Sequence, residues 1–168
     1  MTKPVIKLSH VHIPNRLDIS KQEITINQGD KVAILGQPDA GQTAIFDSLL
    51  QQVTYSGTID WQIPMNQLGV YFNHNDYPSP SRLKVKELVK LVLKKPQRTL
   101  KQFYEDNQLV DIKNEMLQNL TELESRHLTL TLVLAQEPAV YLIDGLTTEL
   151  DTASRHQLSN QLIQATQQ

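Results

Sequence analysis

The 168-residue sequence contains no cysteine, which removes disulfides, thiolate metal sites and a cysteine nucleophile at once. That suits a reducing compartment such as the cytosol. It has no apolar run near the ~20 residues that a membrane-spanning helix needs. Its first residues, MTKPVIKLSH, lack the apolar core of a signal peptide, so direct membrane insertion is not expected. Neither charge sign is in surplus, since 16 Lys+Arg against 18 Asp+Glu leave a net charge of −2. Without a basic run to compensate, there is no electrostatic footprint for nucleic acid. Internal repeats and low-complexity linkers are missing too.

What remains is an ordinary globular composition, 39% hydrophobic and 20% charged, at a length that suits one domain with a real core. Val5–Val11 and Gln22–Ile26 alternate apolar with polar residues and read as half-buried strands, followed by a turn at Gln28-Gly29-Asp30. Lys31–Leu35 is nearly continuously apolar, the pattern of a parallel strand buried on both faces. Thr43–Gln51 carries a helical stripe of Ile45, Leu49 and Leu50, and Ser56–Trp61 and Gln67–Phe72 read as further strands. An apolar helix is expected between Pro78 and Pro96, its Leu83–Val92 stripe serving as core or subunit contact. Shorter helices are expected at Leu100–Asn107 and Ile112–Leu120, and a longer one at Glu124–Ala135. Ala139–Asp144 is a second buried-strand pattern, and Asp151 is the expected N-cap of a last helix bearing Leu158, Leu162 and Ile163. His10, His12, His74, His127 and His156 show no metal-ligand spacing, and His10 with His12 reads as a solvated strand edge.

One stretch carries chemistry. Gly36-Gln37-Pro38-Asp39-Ala40-Gly41-Gln42-Thr43-Ala44 has the spacing of the phosphate-binding pattern G-x-x-x-x-G-K-S/T. A strand pattern precedes it and a helix follows, as such a loop requires. The lysine that would reach the phosphate oxygens is replaced by Gln42, while Thr43 keeps the magnesium-binding hydroxyl.

Further segments turn this loop into a family resemblance. Val140-Tyr141-Leu142-Ile143-Asp144-Gly145-Leu146-Thr147-Thr148-Glu149-Leu150-Asp151 resembles the Walker B and D-loop segment of ABC ATPases, and Ala135-Gln136-Glu137-Pro138 resembles its lead-in. Leu68–Asn73 is similar to the strand entering that family's Q-loop, and Leu83–Leu88 to the opening of its helical subdomain. The resemblance is to a degenerate ABC transporter ATP-binding domain, C-terminally truncated, since the sequence stops before the strand bearing the family's switch histidine. It implies an α/β, P-loop NTPase-like fold occupying residues 1–168 as one domain. The sheet would be mainly parallel, with an N-terminal antiparallel β part and a helical subdomain inserted at about 78–135. With the switch strand missing, Lys31–Leu35 and Ala139–Ile143 are expected to pair directly.

The resemblance also implies ATP and Mg2+ as cofactors. Nucleotide would lie at Gly36, Asp39, Ala40, Gly41, Gln42, Thr43 and Ala44, and magnesium at Thr43, Asp144 and Asn73, the shortened Q-loop residue. No residue is assigned a catalytic role, because Gly145 stands where the family places its water-orienting glutamate, and Glu149 takes the usual glycine position of the D-loop. Leu120-Thr121-Glu122-Leu123-Glu124 aligns with the signature LSGGQ, putting two carboxylates where the family dimer meets a γ-phosphate. No aromatic occupies the expected adenine-stacking region at Ile13-Pro14-Asn15. The implied protein is a pseudo-ATPase with weak nucleotide binding, cytoplasmic or peripheral at the inner face of the membrane. Its implied partners are a membrane permease, touching Asn73–Pro78, and a second ABC ATPase subunit. The alternatives are an active transport ATPase and an interaction module, or truncated remnant, that binds no nucleotide.

Overall fold

Apolar residues at alternate positions build the first strand, and the computed structural model, which describes residues 3–37, 40–72, 82–93 and 99–166, follows that alternation closely. Strand β1 (Pro4–Ile13) buries Val5, Ile6, Leu8, Val11 and Ile13. It pairs antiparallel with both β2 (Leu17–Asn27) and β3 (Ser56–Trp61), in the order β2-β1-β3. Helix α1 (Gln42–Leu49) buries Ala44 and Leu49, and its last turn is tied to β3 by Trp61, whose indole N–H donates to the Leu49 carbonyl at 3.0 Å. These elements belong to one of two compact units, residues 1–68 and 69–168.

Lys31–Leu35 departs from expectation. It forms no strand, and Val32, Ile34 and Leu35 are 58%, 36% and 91% exposed. Apolar content alone does not make a strand, because the backbone must also find a ladder, and no described strand supplies one. The two-stranded sheet of the second unit contains β4 (Leu68–Phe72) and β5 (Val140–Asp144). The direct pairing of Lys31–Leu35 with Ala139–Ile143 is therefore absent among the described residues.

In the second unit, α2 (Val85–Val92), α3 (Leu100–Asp106), α4 (Glu122–Leu134) and α5 (Thr152–Ala165) stand close to where periodicity places them. One apolar cluster gathers Val85, Val89, Phe103, Leu109, Leu128 and Leu132. Another joins Tyr71, Leu130, Val133, Leu146, Leu150 and Leu158. The expected helix over Ile112–Leu120 is replaced by turns and a single 3-10 turn at Leu117–Asn119. Its backbone groups are engaged elsewhere: the Glu115 and Lys113 carbonyls accept from Val85 N–H and Lys86 N–H, both at 3.0 Å, and Leu117 N–H donates to the Leu83 carbonyl at 2.9 Å. The segment satisfies the unpaired donors at the start of α2, which an isolated helix could not do.

Asp151 caps α5 as the sequence suggests, its carboxylate accepting from the Ala153 and Ser154 N–H groups at 2.9 and 3.0 Å and from the Ser154 hydroxyl at 2.7 Å. The Ser154 bonds hold its pKa below the ordinary aspartate value. A depressed carboxylate pKa contributes stability above the unfolded pKa, and that contribution is lost as pH falls through the folded one. The thermal-midpoint advantage of wild type over Asp151→Asn is thus expected to be full at pH 5 and to shrink toward about pH 3. A difference that stayed constant through that window would refute the charge-assisted cap.

Candidate phosphate-binding loop

Gly41 fixes the geometry of the loop. It takes the N-cap position of α1 with φ 93°, a left-handed conformation that glycine adopts without strain. A β-carbon there would run into the Arg16 carbonyl oxygen, so the turn between β1 and β2 lies directly against the loop. No side chain caps the start of α1 and its first turn holds no acid. The helix therefore presents backbone donors and the positive end of its dipole, the arrangement that favours an anion.

Gln42 is turned inward. Its amide nitrogen donates to the Gln37 carbonyl at 2.9 Å, and a β-carbon at Gly36 would lie 2.7 Å from that nitrogen. Gly36 is what leaves room for the amide. The amide nitrogen keeps one further N–H for a phosphate oxygen, but it brings no charge. Thr43 and Ala44 continue on the first turn of α1, with Ala44 buried. Pro38 and Asp39 lie outside the described residues.

Sequence reading passed over Arg16. Its Nη1 lies 3.4 Å from an Asp47 carboxylate oxygen, with Arg16 half exposed and Asp47 largely buried. The sequence signal was an arginine in the turn ahead of the loop, which gains meaning only once the hairpin folds back onto Gly41.

In the second unit, Asp144 ends β5 and Gly145 follows with φ 67°. The turn after them is held by Arg126, only 5% exposed. Its Nη1 donates to the carbonyls of Gly145, Leu146 and Thr148 at 3.3, 3.0 and 2.7 Å, and its Nε to Glu122 at 2.6 Å. Glu149 has φ 61°, a left-handed conformation that glycine takes more readily. The α4 N-terminus is sealed. Thr121 Oγ1 accepts from the Glu124 N–H at 3.3 Å, and the Glu124 carboxylate accepts from the Thr121 N–H at 2.8 Å, a reciprocal capping box. Burial pushes the Tyr71 phenol up to about 12, against the pull of the nearby Arg126 guanidinium, so Tyr71 stays neutral and is no base at neutral pH.

Of the residues expected at the site, Gly36, Ala40, Gly41, Gln42, Thr43 and Ala44 form one loop-and-helix element in the first unit. Asp144 belongs to the second, and Asn73 lies outside the described residues. No group of three or more His, Cys, Asp or Glu able to hold a metal occurs among the described residues. A separate cleft of about 870 Å³ lies among α3, α4 and α5, lined by Asp106, Asn107, Glu137, Gln157, Asn160 and Gln161 among others. Acids and amides without a lysine or arginine do not suit a triphosphate. His127 in its wall bonds Gln161 and the Asn107 carbonyl at 2.9 and 2.8 Å, which makes it a structural link between helices.

The sequence profile of the ABC transporter family matches residues 19–148. No curated protein matches. Among solved structures, CbiO1 from Clostridium perfringens, part of the ABC transporter complex CbiONQ, superposes with TM-score 0.77 at 17% identity, covering 98% of this chain and 74% of that one. An ATP-binding subunit of an ABC transporter gives TM-score 0.74 at 14% identity, covering 97% and 75%. RNase-L Inhibitor gives 0.75 at 16% identity, covering 99% of this chain and 32% of that one. These likenesses establish the P-loop NTPase-like α/β fold, and they span proteins whose names do not all speak of transport. No described helix is long and apolar enough to cross a membrane.

Proposed function

Since the chain belongs to the ABC transporter family, we propose that it acts as a degenerate ATP-binding subunit. In this reading it holds magnesium–nucleotide weakly at Gly36–Ala44, does not hydrolyse it, and works with a membrane permease or a competent second ATPase at the inner face of the membrane. The observation that carries this reading is a contrast between two helix starts. The start of α1 is uncapped and free of acid, as a phosphate requires. The start of α4, aligned with the family's signature, is closed by Thr121 and Glu124 and carries Glu122 beside them.

The residue types fit a nucleotide partly. Loop amides suit the phosphates, and Thr43 and Asp144 are oxygen donors of the kind magnesium takes. Bound magnesium would neutralise phosphate charge. Gly145 supplies no group to orient an attacking water, and Gln42 no charge for the transferring phosphoryl group. Phosphoryl transfer depends on positioning and electrostatics, so both losses fall on the transition state.

Titration with magnesium–ATP alongside a turnover assay tests the proposal. Wild type is expected to bind weakly and to show no turnover above the Asp144→Ala control. Gln42→Lys is expected to tighten binding by about tenfold, the effect of ~1.4 kcal/mol, without restoring turnover because Gly145 remains. Turnover abolished by Asp144→Ala would favour an active transport ATPase, and no binding by either protein would favour a module without nucleotide.

A further inference from the structure

We propose that the cleft among α3, α4 and α5 binds an uncharged, β-linked oligosaccharide through a row of amide side chains on α5. This goes beyond the nucleotide reading and does not depend on it, since among the described residues none from the phosphate-binding loop lines the cleft. Three observations support it.

The first is the make-up of the wall. Gln157, Asn160, Gln161 and Gln164 stand at positions i, i+3, i+4 and i+7 of α5, so they share one face of the helix. That face lines a cleft of about 870 Å³, a size that suits a small ligand. Each amide offers two N–H donors and an acceptor oxygen. Among the described residues, the amides of Gln157, Asn160 and Gln164 have no hydrogen-bond partner. Gln161 anchors the row, bonded to His127 at 2.9 Å and donating to the Thr131 hydroxyl at 2.8 Å.

The second is charge. Among the described residues no lysine or arginine lines the cleft, which leaves an anion nothing to pair with. Its two carboxylates, Asp106 and Glu137, are engaged in interactions of their own, so a cation finds no free carboxylate there. The lining favours a ligand that is uncharged yet dense in hydrogen-bonding groups. Phe103, Leu134 and Tyr141 add apolar surface to the same cleft. A sugar ring meets both demands, with hydroxyls around its edge and C–H groups on its faces.

The third is spacing. Successive levels of the amide row are one helical turn apart, about 5.4 Å, and the row from Gln157 to Gln164 spans about 10 Å. A β-1,4-linked chain is extended and repeats its rings at close to one helical turn, so each level of the row can meet one ring. An α-1,4-linked chain coils away from a straight row. An extended peptide presents the same side only every second residue, about 6.6–6.8 Å, and falls out of step with the amides within two turns.

The test is titration of the full, isotopically labelled chain with cellotriose, followed by NMR through the side-chain amide signals. Maltotriose, a glycine–serine hexapeptide and spermidine serve as comparisons. Cellotriose is expected to shift the Gln157, Asn160 and Gln164 side-chain amides and to bind more tightly than the other three ligands. Asn160→Ala and Gln164→Ala are each expected to weaken it about fivefold, the ratio for losing one neutral hydrogen bond. Gln52→Ala, at an exposed amide that lines no part of the cleft, should leave it unchanged. Both cleft variants should keep α5, because alanine is the better helix former at an exposed position. No shift with cellotriose at millimolar concentration, or equal affinity in wild type and both cleft variants, overturns the proposal. Tighter binding of the hexapeptide or of spermidine overturns it too, by making the cleft a peptide or amine site. Equal binding of maltotriose does the same by removing the spacing match. Each of these outcomes leaves magnesium–ATP binding untouched, so the two readings fall separately.

Discussion

Arg126→Ala is expected to lower the thermal midpoint by about 6–12 °C, from a loss of ~3 kcal/mol at the 2–4 °C per kcal/mol usual for a chain of this length. The guanidinium is buried and satisfies three carbonyls of the turn after Asp144, together with Glu122. Removing it orphans acceptors whose desolvation has already been paid for by folding. Leu146 is buried, so its carbonyl is poorly placed to recruit water, whereas Thr148 is exposed and its carbonyl can be hydrated. That difference keeps the expected loss near a few kcal/mol instead of the sum of three full penalties. Glu122→Gln should cost less than ~1 kcal/mol, because the Glu122 side chain is 58% exposed and an amide oxygen can still accept the Nε–H. Arg126→Lys should fall between, since a single ammonium keeps the charge but cannot sit at the carbonyls, as Nη1 does, and bond Glu122, as Nε does, at the same time. Differential scanning fluorimetry of the three variants orders these effects. If Glu122→Gln were as damaging as Arg126→Ala, the ion pair and not the carbonyl clamp would be holding the turn.

This clamp also marks where sequence reading stops. Leu120–Glu124 could be read as a signature motif filled with acids, and from the sequence Glu122 looked like a source of repulsion toward phosphate. Its observed partner is Arg126, one helical turn away, an i,i+4 pair that the spacing allowed. What the spacing could not give is the fold-back of the 145–148 turn onto that helix, which makes the arginine buried and many-bonded. Gln42 is similar. The loss of lysine was plain, but the inward bond to Gln37 depends on the turn geometry of the loop. Arg16 was invisible for a related reason, because nothing local to Pro14-Asn15-Arg16 shows that the hairpin returns to Gly41.

The fold was legible where one physical signal acted alone. Period-two alternation located β1 and β2, and helical stripes located α1, α3 and α4. The Asp151 cap placed the start of α5. Two segments misled. Ile112–Leu120 has helical apolar spacing, yet its carbonyls are captured by the start of α2, a long-range hydrogen-bonding demand that periodicity does not register. Lys31–Leu35 has the composition of a central strand, but composition states what a segment could bury and not whether neighbouring strands exist to cover it.

That second case gives a sharp contrast in stability. Leu128 is 1% exposed within the cluster around Val85, Leu109 and Leu132, so Leu128→Ala removes buried methyl and methylene groups and leaves a cavity. The expected cost is about 2–5 kcal/mol, or roughly 4–20 °C of thermal midpoint. Leu35 is larger than any residue a central strand position would lose cheaply, yet it is 91% exposed, and there is little apolar contact to forfeit. Leu35→Ala is expected to stay within about 0.5 kcal/mol of wild type, as surface substitutions do. Val32→Thr, at 58% exposure, should behave likewise, since the added hydroxyl meets water and not an apolar interior. The two readings of Lys31–Leu35 diverge by several kcal/mol on these variants, well beyond the error of a chemical-denaturation curve. If Leu35→Ala shifted the urea midpoint as far as Leu128→Ala, the segment would have to be buried in solution as its composition suggests, and the exposed conformation would be wrong.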